Sequence, residues 1–310
     1  MSVIENALQK LRRSGDASSG RDGTAPLPIG GHASRSVPPV DLATFNARRI
    51  AVDHARLRGQ GYLPESARER LFADCYRQIK RPLIQRATAP EADADQRLIM
   101  ISSALPGEGK TFTSINLALS IAREHDVCVL LVDADLAKSQ VSRTFGVHCE
   151  PGLLDALCNE AVDAESLVLR TDVPGLEIMS SGTGTSTATS AERTAELMAS
   201  SRMVQIATRL GLRNPRRLVL FDSPPVLVSS EARALAQVPG QVLLVTRSGQ
   251  TPQRALLDAI AAIDKTKLHG LVLNDAHLPS GSGYYYGYGY ARYDGETQMN
   301  GPPEESAPRT

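Results

Sequence analysis

The sequence predicts an α/β fold, a mostly parallel sheet with helices on both faces, on three observations. Apolar, β-branched runs alternate with stretches of helical pattern through the middle of the chain. The runs are apolar without alternation, as strands buried on both faces are. A glycine-rich turn and three aspartates follow directly on such runs, at the strand ends where parallel sheets bind ligands.

Residues 1–13 place Ile4, Leu8 and Leu11 on one helical face, with Ser2 and Glu5 spaced as a capping box, which predicts a short amphipathic helix. Lys10, Arg12 and Arg13 suit a docking or membrane-touching element, and a frayed terminus is equally compatible. From Ser14 to about Val40 the composition is Gly, Ser, Pro and Ala, too poor in apolar surface to offset the entropy of ordering. A flexible linker is therefore expected over 14–64. A helical pattern resumes at Glu65 and runs through Leu71, Phe72, Cys75, Tyr76 and Ile79 until Pro82.

The main domain is expected over 65–276. Strands are predicted at Arg97–Ser102, Val127–Val132, Leu176–Met179, Arg217–Phe221, Gln241–Thr246 and Gly270–Leu273, with helices beginning near Lys110, Ala191, Ser229 and Thr251. After Leu273 the pattern stops, and 277–310 is a Gly/Tyr-rich tail expected to be disordered.

Lysine plus arginine equal aspartate plus glutamate at 34 each, so no net field draws in nucleic acid or anionic lipid. The cysteines Cys75, Cys128, Cys149 and Cys158 form no C-x-x-C pair and read as reduced thiols of a cytosolic protein. No run of about 18 apolar residues and no signal-peptide pattern is present, so the expected location is cytoplasmic. The histidines, His125 and His148 among them, show no ligand spacing.

Ala104-Leu-Pro-Gly-Glu-Gly-Lys-Thr111 follows a predicted strand and opens a predicted helix, the context a phosphate-binding P-loop requires. Gly107 and Gly109 let backbone N–H groups close on phosphate oxygens, Lys110 is placed to bridge the β- and γ-phosphates, and Thr111 to ligate magnesium. The expected ATP-binding set is Pro106, Gly107, Glu108, Gly109, Lys110, Thr111 and Phe112. Ala104 stands where the general motif has its first glycine, a small residue in its place.

Asp133 and Asp135 end one strand, in Leu-Leu-Val-Asp-Ala-Asp, and Asp222 ends another, in Leu-Phe-Asp-Ser-Pro-Pro. Acid at the end of an apolar strand suits a cation better than a core. Asp222 and one of the Asp133/Asp135 pair are expected to hold magnesium. The candidate metal set is Thr111, Asp133 and Asp222; the candidate catalytic set is Lys110, Asp133 and Asp135. The Ser/Thr-rich stretch from Ser180 to Ser190 reads as a flexible loop over the nucleotide.

Six of the eight tyrosines, Tyr284, Tyr285, Tyr286, Tyr288, Tyr290 and Tyr293, crowd the tail. Interleaved glycines give them no amphipathic period and no core to join. Beside an ATP site they read as phosphorylation substrates. A phenol with a pKa near 10 needs a base or a polarised γ-phosphate to attack, and Asp133 or Asp135 can supply the base. Each phosphate adds about −1.5 to −2 charges, so a fully modified tail carries on the order of −10 and repels neighbouring copies. An extended reach of roughly 35 Å from the last strand to Tyr284 serves transfer within a chain or between chains.

The phosphate loop, Val-Asp-Ala-Asp, Phe-Asp-Ser-Pro-Pro, the tyrosine cluster and the opening Met-Ser-Val-Ile-Glu-Asn-Ala-Leu-Gln-Lys-Leu together resemble the bacterial tyrosine autokinases of exopolysaccharide synthesis. Among these the chain is most similar to the branch associated with exosortase and chain-length-determinant gene clusters. The resemblance covers roughly residues 65–293. It implies a protein-tyrosine kinase with a MinD/ParA-like P-loop NTPase fold, using ATP and Mg2+ and held at the inner membrane through a partner. A transmembrane chain-length-determinant protein would activate it. It also implies a homo-oligomeric ring whose members phosphorylate one another's tails, with polymerisation or export of the polysaccharide as the regulated output. The family's ring-forming Glu-x-x-Arg-x-x-Arg maps onto Asp74, Arg77 and Lys80, a shorter acid and a lysine that cannot form a bidentate fork. Where the family often has arginine after the second aspartate motif, this sequence has Ala137 and then Lys138.

The alternative is a ParA/MinD-type positioning ATPase, which shares the sheet without kinase activity. Such proteins carry an additional lysine early in the phosphate loop, and none occurs between Ile101 and Gly109. A non-catalytic ATP-binding regulator is disfavoured by the intact Lys110, Thr111, Asp133, Asp135 and Asp222, and an iron–sulfur scaffold by the lack of paired cysteines.

Overall fold

The computed structural model describes residues 48–183 and 191–276. The expected N-terminal helix, the linker up to residue 47, residues 184–190 and the tyrosine tail lie outside the described residues.

Eight strands form one sheet: β1 (Arg49–Ile50), β2 (Leu98–Ser103), β3 (Cys128–Asp133), β4 (Leu169–Thr171), β5 (Leu176–Met179), β6 (Arg217–Asp222), β7 (Gln241–Arg247) and β8 (Leu268–Asn274). Across the sheet they run β1-β4-β5-β3-β6-β2-β7-β8, and every pairing is parallel except β4 with β5. The helices are α1 (His54–Gly59), α2 (Glu69–Ala87), α3 (Lys110–Ile121), α4 (Gln140–Thr144), α5 (Leu153–Cys158), α6 (Ala191–Met198), α7 (Ser201–Arg213), α8 (Ser230–Leu235) and α9 (Gln253–Ala261).

The central strands β2, β3 and β6 bury nearly all their side chains, which explains their unbroken apolar runs. Ile99, Ile101, Val129, Leu131, Leu218 and Leu220 share one core with Leu83 of α2 and Ile115 and Leu117 of α3. Alternate residues such as Leu98 and Met100 point the other way. There α7 lies so close that a Cβ on Gly211 would stand 3.0 Å from Leu98 Cδ2. The expected α/β architecture with a mostly parallel sheet holds.

Four expectations need correction. The ordered region begins by residue 48, not 65: β1 pairs with β4, and Val52 and Leu57 are buried in the core. A two-residue strand and a six-residue helix are too short to leave a period in the sequence. Next, α2 continues through Pro82 to Ala87. Proline there removes one helical hydrogen bond, but Leu83 and Ala87 beyond it are buried, and that packing keeps the turn helical. Third, β4 was not foreseen; it runs antiparallel to β5 because residues 172–175 between them are too few for a crossover.

The fourth correction concerns Lys80, expected at an oligomer interface. It is buried, and its Nζ donates to the Ser120 carbonyl at 2.6 Å and pairs with Glu124 at 2.7 Å. It therefore ties α2 to the end of α3 within the chain. Asp74 and Arg77 do lie at the surface, paired to each other at 2.9 Å.

Candidate nucleotide and phosphoryl-transfer site

The carboxyl ends of β2, β6 and β3 lie side by side, and the loop after β2 turns into α3 over them. Asp133 and Asp222 are direct register partners across β3 and β6, so one strand spacing separates their backbones.

The loop's turn rests on Gly107 and Gly109, whose φ angles of 83° and 93° are left-handed. At Gly109 space matters too, because a Cβ would stand 2.0 Å from Asn274 Nδ2. Asn274 donates that amide to the Glu108 carbonyl at 3.0 Å. The Glu108 side chain accepts from the Leu105 N–H at 2.8 Å and from the Thr251 hydroxyl, bracing the loop against the segment after β7. The N–H groups of Lys110, Thr111 and Phe112 open α3 without intrahelical partners, the first such bond being Thr113 to Gly109. They are the donors a phosphate would meet. Phe112 offers only its backbone here, since its ring packs edge-on against Phe72 at 5.9 Å. Pro106 is exposed, has no N–H and serves to shape the loop.

Each carboxylate has a different company. Asp222 is fully buried and accepts from Thr111 Oγ1 and Ser114 Oγ, both at 2.8 Å. Asp135 Oδ2 lies 3.2 Å from Lys110 Nζ, a charge contact without hydrogen-bond alignment, while its Oδ1 accepts from the Lys138 N–H at 3.2 Å. Asp133 is fully buried; its Oδ2 takes the N–H and hydroxyl of Ser142 at 2.7 and 2.6 Å, and its Oδ1 has no partner.

Burial, then the charge of Asp222, pushes the Asp133 carboxyl up to about 7. Burial likewise raises Asp222 to about 6, against the pull of Lys110, Thr111 and Ser114. A site with three carboxyl groups and one lysine is short of positive charge, and a divalent cation would supply it. Among the described residues no three acidic, imidazole or thiolate groups form an all-protein metal cage. Magnesium is commonly held by one or two protein oxygens together with phosphate oxygens and water. Thr111 with Asp222 behind it fits that role.

The structure thus gathers Gly107, Glu108, Gly109, Lys110, Thr111, Asp133, Asp135 and Asp222 at the adjoining carboxyl ends of β2, β3 and β6. Sequence reasoning missed Ser114, Ser142, Thr251 and Asn274. Asn274 ends β8, where the strand-end rule reaches it once that strand is drawn a residue longer; Thr251 lies four residues past β7, beyond that rule. Ser114 lies four residues after Lys110 on α3, and Ser142 carries no sequence signal. Residues of the tyrosine cluster lie outside the described residues.

A family of AAA domains (AAA_31) matches residues 96–270. The tyrosine-protein kinase YwqD of Bacillus subtilis is 33% identical over 198 residues, 63% of this chain and 79% of that protein. EpsB of Ralstonia solanacearum is 36% identical over 222 residues, and the tyrosine-protein kinase ptk of Acinetobacter johnsonii 32% over 195. These segments cover 69% and 62% of this chain but 28% and 25% of those proteins, so the chain spans about a quarter of their length. Among solved structures, the VpsO kinase domain superposes with a TM-score of 0.51 at 29% identity, over 66% of this chain and 99% of that one. The Escherichia coli ETK kinase domain, at 24% identity and a TM-score of 0.55 over 70% and 80%, shares the fold.

Proposed function

Because the chain belongs to the AAA_31 family of AAA domains and to the bacterial tyrosine-protein kinases, we propose that it binds ATP with Mg2+ and phosphorylates tyrosine hydroxyls. The first substrates are those of its own tail: Tyr284, Tyr285, Tyr286, Tyr288, Tyr290 and Tyr293. The phenol oxygen attacks the γ-phosphorus, the bond from that phosphorus to the β,γ-bridging oxygen breaks, and ADP leaves with the electron pair. The phenol proton passes to Asp133. The observation that carries this reading is the unpartnered, buried Oδ1 of Asp133 beside the phosphate loop. A carboxyl held near neutrality is matched to accepting a proton at physiological pH.

The remaining groups divide the other tasks. Backbone N–H groups of the loop and the start of α3 hold the phosphates. Lys110, kept in place by Asp135, stabilises charge on the γ-phosphate. Thr111 and Asp222 would hold magnesium, which would supply the positive charge that the phosphates need.

The reading extends to the assembly. Copies form a ring that brings one tail to a neighbour's site, a transmembrane chain-length-determinant protein activates it, and the inner membrane is reached through that partner. Accumulated tail phosphate loosens the ring and so regulates exopolysaccharide polymerisation or export. Asp74 and Arg77 on the exposed side of α2 remain as the contact candidates. Among the described residues no helix is long and apolar enough to cross a membrane.

Mixing tests the transfer between copies. A chain truncated before Tyr284 retains the site but no cluster; Lys110→Ala retains the cluster but not the site. Incubated together with Mg2+ and ATP, they are expected to yield phosphotyrosine on the Lys110→Ala chain. An unmodified Lys110→Ala tail, under conditions where the wild type modifies its own, would contradict transfer between neighbours.

A further inference from the structure

Asp133 is held by a single residue on a single oxygen. Ser142 presents both its N–H and its hydroxyl to Oδ2, at 2.7 and 2.6 Å. Its hydroxyl oxygen in turn accepts the Ser181 N–H at 2.9 Å, so the acceptor side is occupied and the hydroxyl proton is directed at the carboxylate. Ser181 is fixed as well, its hydroxyl 2.8 Å from that of Ser139. Asp133, Ser142 and Ser181 are all buried, and Ser139 is partly so.

We propose that Ser142 is the positioning residue for Asp133: by clamping Oδ2 from two directions it leaves Oδ1 as the one oxygen presented to the incoming hydroxyl. The inference rests on the phosphoryl-transfer reading and names a residue that reading does not need. Turning the Asp133 carboxylate away would break two short hydrogen bonds at once, so the clamp fixes the plane of the group and the direction in which its free oxygen points. Removing the hydroxyl leaves the N–H alone as a pivot. The clamp also runs from Asp133 through Ser142 to Ser181, two residues past β5. From there Thr183, whose N–H and hydroxyl are held by Asp155, leads into the Ser/Thr-rich loop.

The test compares full-length wild type, Ser142→Ala and Ser142→Thr by ATP kinetics, thermal unfolding and crystal structure. The expected result for Ser142→Ala is a 10- to 100-fold fall in kcat, with KM for ATP within threefold and the thermal midpoint nearly unchanged. Asp133 should then occupy a second rotamer. Ser142→Thr, which restores the hydroxyl, should return kcat to within threefold of wild type. A kcat within twofold of wild type in Ser142→Ala would overturn the proposal. So would an Asp133 that keeps one conformer there, or a threonine variant as slow as the alanine one. If the wild type hydrolyses ATP but makes no phosphotyrosine, the kinase reading fails separately, and the Asp133 conformer still decides whether Ser142 positions it.

Discussion

Asp133→Asn is expected to slow phosphotyrosine formation about 100-fold or more, the usual range for losing a general base, while making the nucleotide-free protein more stable at neutral pH. The two effects share one cause: above about pH 7 the wild-type protein buries an anion with an unpartnered oxygen, a charge the asparagine does not carry. The direction with pH follows from proton binding. Between the ordinary carboxylate range and about pH 7 the folded protein keeps a proton on Asp133 that the unfolded chain has released. Stability therefore falls as pH rises through that window, by about 1.4 kcal/mol per pH unit for each such group. Asp222 adds a second, narrower contribution ending near pH 6. Scanned in EDTA, wild type and Asp133→Asn should melt close together at pH 5, and the variant should melt higher at pH 8. A wild type that melts higher at pH 8 would show that the buried charge is compensated in a way the geometry does not provide.

Arg217→Ala is expected to remove on the order of 3 kcal/mol of folding stability, because truncation removes a buried guanidinium and leaves two partly buried acids without it. Arg217 opens β6 with its guanidinium buried. Two nitrogens reach the two oxygens of Glu165 at 2.7 and 2.8 Å, and Nη2 lies 2.8 Å from Glu177 Oε2, an ion-pair contact without hydrogen-bond geometry. Lysine cannot reproduce the two-pronged contact, so Arg217→Lys should recover only part of the loss. Urea unfolding measures both, and the position lies at the opposite end of β6 from Asp222. Substrate affinity in whatever fraction stays folded should not change.

The strands were legible because burial on both faces leaves an unmistakable mark. All six foreseen strands appear, their ends within two residues of expectation. The same logic fails for β1 and β4, which are two and three residues long and belong to the sheet through pairing rather than composition. Local signals also mislead at Pro82, where the residue argues for an end and the buried Leu83 and Ala87 argue for continuation. In the site, the phosphate loop and the three aspartates were readable from residue type and position. Their division of labour was not. That Asp135 faces Lys110, Asp222 faces Thr111 and Asp133 faces Ser142 depends on how β3 and β6 lie against α3 and α4, which no linear spacing records. Lys80 shows the same limit: its place in a charged pattern suggested a surface role, while its side chain turns inward to α3.

The central claim is that this cleft moves the γ-phosphoryl group of ATP onto the tail. Purified full-length protein, incubated with Mg2+ and ATP beside Lys110→Ala and a truncation before Tyr284, should be mapped for phosphotyrosine by mass spectrometry. The account predicts phosphate between Tyr284 and Tyr293 in the wild type and none in Lys110→Ala. ATP bound or hydrolysed without phosphotyrosine, even after a candidate membrane activator is added, would contradict it.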